Sequence, residues 1–227
     1  MKNLINLLMP VLFVLTACTQ NTTSPKLIAL TFDDGPNTTT TVHVLEKLKK
    51  HVIPASFFVI GNNIDEESAK VLKQAFDRGC DIQNHSRTHS NMPDLSADEI
   101  KEEIKYTSAK IREVTGVEPL FFRPPYISVS PLMHEVIDLT FINGAGCFDW
   151  DPGVATEARA AMVLKDAADG GIILMHDMQG NQQTVDALDI IIPELKKQGF
   201  EFVTVTELFK RRGINPQKRT MYSNVAD

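Results

Sequence analysis

Over residues 27–205 the chain alternates short apolar runs with amphipathic stretches, and this alternation constrains the fold more than any other feature. Leu27-Ile28-Ala29-Leu30-Thr31-Phe32 reads as a buried strand that stops at Asp33-Asp34-Gly35-Pro36, two adjacent carboxylates and a Gly-Pro break. Residues 40–51 carry Val42, Leu45 and Leu48 with Lys47, Lys49 and Lys50 between them, a helical pattern. Residues 55–61 form the next expected strand and 66–78 the next helix, which ends at Gly79. A short strand at 80–83 then leads into Asn84-His85-Ser86-Arg87-Thr88-His89. Ser96 opens a long helix to Thr115, with Glu99 three residues on as a capping box and Gly116 as the stop. Leu120-Phe121-Phe122 runs into Arg123-Pro124-Pro125-Tyr126, and an apolar segment within 141–150 ends in polar residues. A helix at 158–168, a strand at 171–175 delivering His176-Asp177, a helix at 185–198 and a strand at 200–205 complete the pattern.

Strands alternating with helices imply a mainly parallel sheet, closed either as a doubly wound sheet or as a barrel. A barrel of the α/β class is the better expectation, because every polar cluster follows an apolar strand and a barrel gathers such strand ends at one rim. Neighbouring residues at a strand end point to opposite sides, so Asp33 and Asp34 can divide their work, one holding a cation and the other handling a proton. His85 and His89 lie four apart, which on one helical turn or in a tight loop aims both imidazoles the same way, a spacing common in zinc sites. With Asp34 as a third donor the set leaves open positions, which describes a catalytic rather than a structural metal. His43, His51 and His134 fall inside expected helices without a carboxylate partner in view and are assigned no site.

Residues 1–17 have one Lys, a mostly apolar stretch and then Leu15-Thr16-Ala17-Cys18, the shape of a secretory signal too short to span a bilayer. The small residues before Cys18 resemble the lipobox of bacterial lipoproteins, in which that cysteine becomes the lipidated N-terminus. Residues 18–25 are then a polar tether. Removing 17 of the 227 residues leaves 210, enough for one large α/β domain and no second. Lys2 is the only charge removed, so the net charge goes from −6 to −7, and no basic block follows that could track a nucleic-acid backbone. Nucleic acid is therefore not an expected partner. With Cys18 committed, Cys80 and Cys147 are too few for a disulfide framework, and whether they pair is left open.

Thr31-Phe32-Asp33-Asp34-Gly35-Pro36, His85-Ser86-Arg87-Thr88-His89, Arg123-Pro124-Pro125-Tyr126, Asp149-Trp150 and Leu174-Met175-His176 resemble, in order, the five motifs of the polysaccharide deacetylase domain. That domain is shared by the family four carbohydrate esterases and the nodulation-type chitooligosaccharide deacetylases. The resemblance covers 26–212, and 213–227 reads as a loose tail with no site. It implies a distorted (β/α) barrel with fewer than eight strands, and a divalent metal held by Asp34, His85 and His89. The expected ion is Zn²⁺, with Co²⁺, Ni²⁺ or Mn²⁺ also suited to the same donors. It further implies Asp33 as general base toward the attacking water, Arg123 as its ion-pair partner, and the backbone N–H of Tyr126 as an oxyanion donor. His176 is implied as the acid, Asp149 as the group that orients and charges it, and Trp150 with Leu174 as walls of an acetyl-methyl pocket. Two positions depart from the family pattern: Ile127 stands where a glycine is usual, and Gly146 where an acidic or amide residue is usual.

The resemblance implies a metal-dependent hydrolase that removes acetyl groups, N-acetyl first, from an envelope or extracellular glycan such as peptidoglycan or a chitin-like oligosaccharide. An O-acetyl esterase on xylan-like polymers is the alternative, and a sugar-binding lipoprotein without catalysis the more distant one. The expected partners are an acetylated polysaccharide or oligosaccharide and, through Cys18, a membrane; no obligate protein partner is evident. The expected location is the cell envelope, periplasmic or at the outer membrane in a Gram-negative host.

Overall fold

The computed structural model describes residues 25–226, so the expected signal peptide, Cys18 and the tether up to residue 24 lie outside the described residues. Strand β1 (Lys26–Asp33) organises the sheet, and the chain continues through α1 (Thr40–His51), β2 (Ser56–Val59), α2 (Glu66–Asp77), β3 (Asp81–Asn84) and α3 (Ala97–Thr115). It goes on with β4 (Phe121–Phe122), α4 (Pro131–Val136), β5 (Thr140–Ile142), β6 (Ala145–Gly146), α5 (Thr156–Asp166) and β7 (Gly171–His176). The last elements are α6 (Gln182–Lys197), β8 (Phe200–Phe202), α7 (Val205–Arg211) and β9 (Met221–Tyr222).

The sheet runs β6-β7-β1-β2-β3-β4-β5-β9, with β8 paired to β1, and every pairing is parallel. β7 lines one edge of β1 from Ile28 to Asp33. The opposite edge is shared, β8 taking Lys26 to Ile28 and β2 taking Thr31 to Asp33. The expected distorted (β/α) barrel is therefore found. Of the nine strands, β4, β6 and β9 are two residues long, which leaves six of ordinary length, below the eight of a regular barrel.

Strand periodicity sorts the side chains of β1 into two layers. Ile28, Leu30 and Phe32 pack outward with Val44, Leu45 and Leu48 of α1 and Leu188, Ile191 and Ile192 of α6. Leu27 and Ala29 point inward and share an apolar cluster with Phe58, Phe121, Ile172 and Phe209. Further along the same inward row stand Thr31 and then Asp33, both buried. The barrel interior is thus greasy at the N-terminal ends of the strands and polar at their C-terminal ends. β7 repeats the arrangement, with Ile172 in the inner cluster, Ile173 and Met175 in the outer one, and His176 at the rim, where it pairs in register with Asp33.

Three expectations need correction. The segment 213–227 is not a loose tail over its described length. β9 pairs with β5, Asn224 bridges Gly171, and the Val225 N–H donates to the Gly170 carbonyl at 2.8 Å. The segment so ties the β5 edge back to β7, and Val225 is buried. Gly170 permits this, because it lies at φ +77° and a Cβ there would overlap the Val225 carbonyl. The strand expected over 200–205 ends at Phe202, because the Thr204 hydroxyl accepts from the Glu207 N–H and caps α7, which the apolar run had concealed. The segment 141–150 divides into β5, β6 and a turn, and α4 was not anticipated. Cys80 and Cys147 are both free and buried. Among the described residues no helix is long and apolar enough to cross a membrane.

Candidate active site

The C-terminal ends of β1, β3, β4, β6 and β7 and the loops after them bring Asp33, Asp34, His85, His89, Arg123, Tyr126, Asp149, Trp150, Leu174 and His176 together at one rim. The two carboxylates come first. Asp33 keeps the inward direction of its strand, whereas Asp34 has φ 72°, a left-handed conformation that an Asp accepts more readily than most residues and that turns it toward the β3 loop. The turn is held from below by Asp177. Its N–H donates to the Asp33 carbonyl at 3.0 Å, and its carboxylate packs so closely under Gly35 that a Cβ would come within 2.5 Å of Oδ2. Only glycine fits at that contact. Thr41 Oγ1 donates to Asp177 Oδ2 at 2.5 Å while Oδ1 is buried without a partner, and burial, reinforced by Asp34 and Asp33, pushes this carboxyl up to about 7.

His85 and His89 reach Asp34 from a tight loop, not from a helical turn. Ser86 and His89 both have positive φ, at 66° and 59°. Asn84 Oδ1 accepts from the Ser86 N–H, Ser86 Oγ accepts from the His89 N–H, and Glu103 of α3 accepts from the backbone N–H groups of Arg87 and Thr88 at 2.8 Å. His85 Nδ1 lies 2.7 Å from the Arg123 carbonyl, which can only accept, so Nδ1 carries the proton and Nε2 is left bare toward Asp34. His85 Nε2 and His89 Nε2 lie 3.4 and 3.3 Å from Asp34 Oδ1. The donor atoms of the three residues lie within 4.8 Å of one another, and Asp34 Oδ1 is buried with no hydrogen-bond donor. One hard carboxylate oxygen and two borderline nitrogens converging on a shared point, with the oxygen otherwise orphaned, fit a divalent cation. Burial raises the Asp34 carboxyl, but the close approach of His85, with the charges of His176 and His89, outweighs it and holds the group below its ordinary value. Burial and then His85 hold the His89 imidazole down, toward the neutral form a metal requires.

On one flank stands Asp33. Arg123 is wholly buried and gives Nη1 to Asp33 Oδ1 at 2.6 Å and to Thr31 Oγ1 at 2.7 Å, while Nε and Nη2 donate to the Ile142 and Asn143 carbonyls. The guanidinium lies 4.1 Å over the Phe58 ring. Arg123 thereby engages one oxygen of Asp33 and leaves Oδ2 for other work. On the other flank, His176 Nδ1 donates to Asp149 Oδ1 at 2.8 Å, and Asp149 Oδ2 accepts from the His176 backbone N–H and from Thr184 Oγ1, each at 2.8 Å. Burial works against charge on His176, but the Asp149 hydrogen bond and charge, with smaller help from Asp33 and Asp34, raise it to about 9, so the ring is a cation at neutral pH.

Between the flanks lies a cleft of about 550 Å³ that contains Asp33, Asp34, His85, His89 and His176. Trp150 and Leu174 line it as expected, and so does Tyr126. Phe148, which the motifs did not single out, joins them. Tyr126, Phe148 and Trp150 are 69%, 60% and 57% exposed, an aromatic rim of the kind that stacks on sugar faces. Ile127 also lines the cleft, at φ 53°, which explains why a glycine suits this position; Gly146 has open space where a side chain would stand. His43 and His134 remain outside the site; His51 does too, although Asp189 lies 3.8 Å from its Nε2, a partner the sequence had not suggested. The buried supports Asn84, Glu103, Asp177, Asn181 and Thr184 escaped the sequence, and only the position of Asp177 directly after His176 could have drawn notice.

Residues 20–140 match the family model described as polysaccharide deacetylase. The chain is 47% identical over 206 residues to a bifunctional xylanase/deacetylase of Pseudobutyrivibrio xylanivorans, covering 90% of this chain and 34% of that protein. It is 37% identical over 188 residues to the peptidoglycan-N-acetylglucosamine deacetylase PgdA of Listeria monocytogenes, covering 81% of this chain and 39% of that protein. The chain thus spans a little over a third of the length of these curated relatives. Among solved structures, a family 4 acetyl xylan esterase from Clostridium thermocellum in complex with a cobalt ion superposes with TM-score 0.86 at 42% identity, over 89% of this chain and 100% of that one.

Proposed function

This chain belongs to the polysaccharide deacetylase family of carbohydrate deacetylases, and from that premise we propose that it is a metal-dependent hydrolase that removes acetyl groups, N-acetyl first, from an envelope or extracellular glycan such as peptidoglycan or a chitin-like oligosaccharide. The observation that carries the acetyl-hydrolase reading is the His176–Asp149 pair, 2.8 Å apart, facing Asp33 and its Arg123 partner across one cleft, and the N-acetyl preference draws on the 37% identical peptidoglycan-N-acetylglucosamine deacetylase. Neither an amine nor a sugar alkoxide leaves readily unless it is protonated as it departs, and the imidazole at the cleft is the group to do it.

Asp34, His85 and His89 would hold the cation, Zn²⁺ by preference or Co²⁺, Ni²⁺ or Mn²⁺. A divalent ion bound there would polarise the acetyl carbonyl and lower the pKa of the attacking water. Asp33 Oδ2, the oxygen that Arg123 leaves free, takes the proton of that water, while Arg123 on Oδ1 holds the carboxylate in place for the task. The backbone N–H of Tyr126 donates to the oxyanion as the carbonyl becomes tetrahedral. His176 Nε2, fixed as the outward nitrogen by the Nδ1–Asp149 bond, gives its proton to the departing nitrogen. Trp150 and Leu174 flank the acetyl methyl and exclude water from it.

A second reading, O-acetyl hydrolysis on a xylan-type polymer, is favoured by the 47% identical xylanase/deacetylase and the 42% identical acetyl xylan esterase. Retention of both a base and an acid argues against a purely sugar-binding protein. Acetate release measured on matched panels of N-acetylated and O-acetylated oligosaccharides, with the metal removed by chelation and restored, tests all three. Release from the N-acetyl panel supports the lead; release confined to the O-acetyl panel replaces it, and none with any metal leaves the binder. The placement that goes with this function is a lipid anchor at Cys18 holding the enzyme on the envelope, at the outer membrane of a Gram-negative host because Thr19 is not an acidic retention signal. If wild type and Cys18→Ala fractionate alike as soluble proteins, that placement is wrong.

A further inference from the structure

Two arginines are fully buried in this protein, and the reaction as described uses one of them. The other, Arg159 on α5, is 1% exposed and has no carboxylate hydrogen bond or ion pair among the described residues. A guanidinium taken out of water without a paired anion is expensive, so its place calls for a reason. Its Nε donates to the Val154 carbonyl at 2.8 Å and Nη2 to the Asp151 carbonyl at 2.9 Å, which anchors it to the turn that follows Asp149 and Trp150. Its Nη1 donates to Asn181 Oδ1 at 2.5 Å and to Thr184 Oγ1 at 2.9 Å. Both of those groups hold the acid half of the site. Thr184 Oγ1 has a single proton, and because Arg159 can only donate to it that proton goes to Asp149 Oδ2. Asn181, with its oxygen taken by Arg159, turns its amide toward the Asp149 and His176 carbonyls at 3.1 and 3.0 Å. A chain of directed hydrogen bonds therefore runs from Arg159 through one hydroxyl to Asp149 and on to His176 Nδ1.

We propose that Arg159 is a positioning residue for the acid: through Thr184 and Asn181 it sets the Asp149 carboxylate and the orientation of His176, and so governs proton delivery to the leaving group without touching substrate. This rests on the reading of His176 as the acid, and the test separates the two. The full chain, loaded with metal, is assayed as wild type, Arg159→Met, Arg159→Lys, Thr184→Val, the Arg159→Met/Thr184→Val double variant and His176→Ala. Each is given an acetylated sugar oligomer, whose leaving group needs a proton, and an aryl acetate, whose phenoxide leaves without one. Arg159→Met and Thr184→Val should each lower kcat on the sugar by about 10–100-fold, the range for groups that orient a reacting residue from behind. KM on the sugar and turnover of the aryl acetate should stay within about threefold, because neither residue reaches the base or the metal ligands. Arg159→Lys should recover part of the loss, and the double variant should be no slower than the worse single one, because both changes break the same chain. Equal losses on both substrates would mean a structural role only and overturn the proposal, as would additive losses in the double variant. Should Arg159→Met not fold, Thr184→Val, which removes one hydroxyl, decides by the same two-substrate comparison. A His176→Ala variant that keeps sugar turnover would instead sink the acid assignment and this proposal with it.

Discussion

The two flanks of the cleft handle a buried carboxylate in opposite ways. On the base flank a cation is bonded directly to Asp33 at 2.6 Å, and the Arg123 head is stacked over Phe58 and sealed from solvent. On the acid flank the direct partner of Asp149 is the imidazole of His176, and the buried arginine stands one hydroxyl further back. On the proposed roles of Asp33 as base and His176 as acid, the difference follows from the proton each flank must manage. A base has to stay ionised and keep one oxygen open, which a permanent cation on the other oxygen achieves. An acid has to keep its proton until the leaving group needs it, which an anion beside the ring achieves. A guanidinium directly on Asp149 would compete with the imidazole for that anion. Backbone strain is divided the same way. Asp34, Ser86, His89, Tyr126 and Ile127, all on the metal and base side, have positive φ, while Phe148 alone does so beside the acid.

The sharpest way to break the comparison is to make the adjacent carboxylates trade roles. Asp33→Asn should keep its metal and lose roughly 10²–10⁴-fold in kcat, the range for removing a general base. Asp34→Asn should instead arrive with weakened metal binding. Metal content and rate measured on both variants decide it; a metal-free Asp33→Asn beside a slow but metal-loaded Asp34→Asn would reverse the assignment. The acid flank is next. In the metal-free protein the His176 ring should titrate near pH 9 by NMR, and Asp149→Asn should bring the midpoint down. Because the folded value lies above the unfolded one of about 6.5, the pair's contribution to stability is complete below pH 6.5 and is lost as pH rises through about 9. Urea midpoints across that window should fall in wild type and fall less in His176→Ala.

The motifs told which residues meet, because each stands at or just past the C-terminal end of a parallel strand and parallel strands bring those ends to one rim. The α3 start was equally legible, since Ser96 and Glu99 cap it through contacts within four residues. What stayed hidden depends on distant partners. Arg159 and Glu103 read as solvent charges on amphipathic helices, and nothing local says that Asn181 and Thr184 fold over the one or the Arg87-Thr88 amides over the other. The closure by β9 and Asn224 involves too few residues to carry any periodicity, so the segment looked like a tail.

The two buried arginines should also differ in what their removal does to folding. Arg123→Met strips the guanidinium from a carboxylate inside the barrel, which costs about 3–5 kcal/mol where a buried pair is broken. In that variant a carboxylate is left buried without its guanidinium, a cost borne only by the charged form, so the deficit against wild type should be larger at about pH 7 than at about pH 4. Arg159→Met removes contacts to neutral groups, the Thr184 hydroxyl, the Asn181 amide and two carbonyls, so its deficit should stay nearly flat over the same range. Parallel slopes for the two variants would erase the distinction between the flanks.

The smallest effect expected concerns strain on the base flank, at Ile127. A β-branched residue at φ 53° sits in a region that costs an ordinary L-residue roughly 1–2 kcal/mol, directly after Tyr126, whose backbone N–H is assigned to the oxyanion. Ile127→Gly removes that cost but gives back about 0.5–1 kcal/mol in unfolded-chain entropy and loses the contacts of a half-buried side chain, so the net change should be within about 1 kcal/mol of zero. Ile127→Ala loses the same contacts and still pays for the left-handed backbone. Urea unfolding should therefore rank the glycine variant above the alanine variant, although glycine is the worse residue almost anywhere else. If alanine proves equal or better, the left-handed backbone at this position carries no appreciable strain, and the contrast between a strained base flank and a relaxed acid flank loses its energetic content.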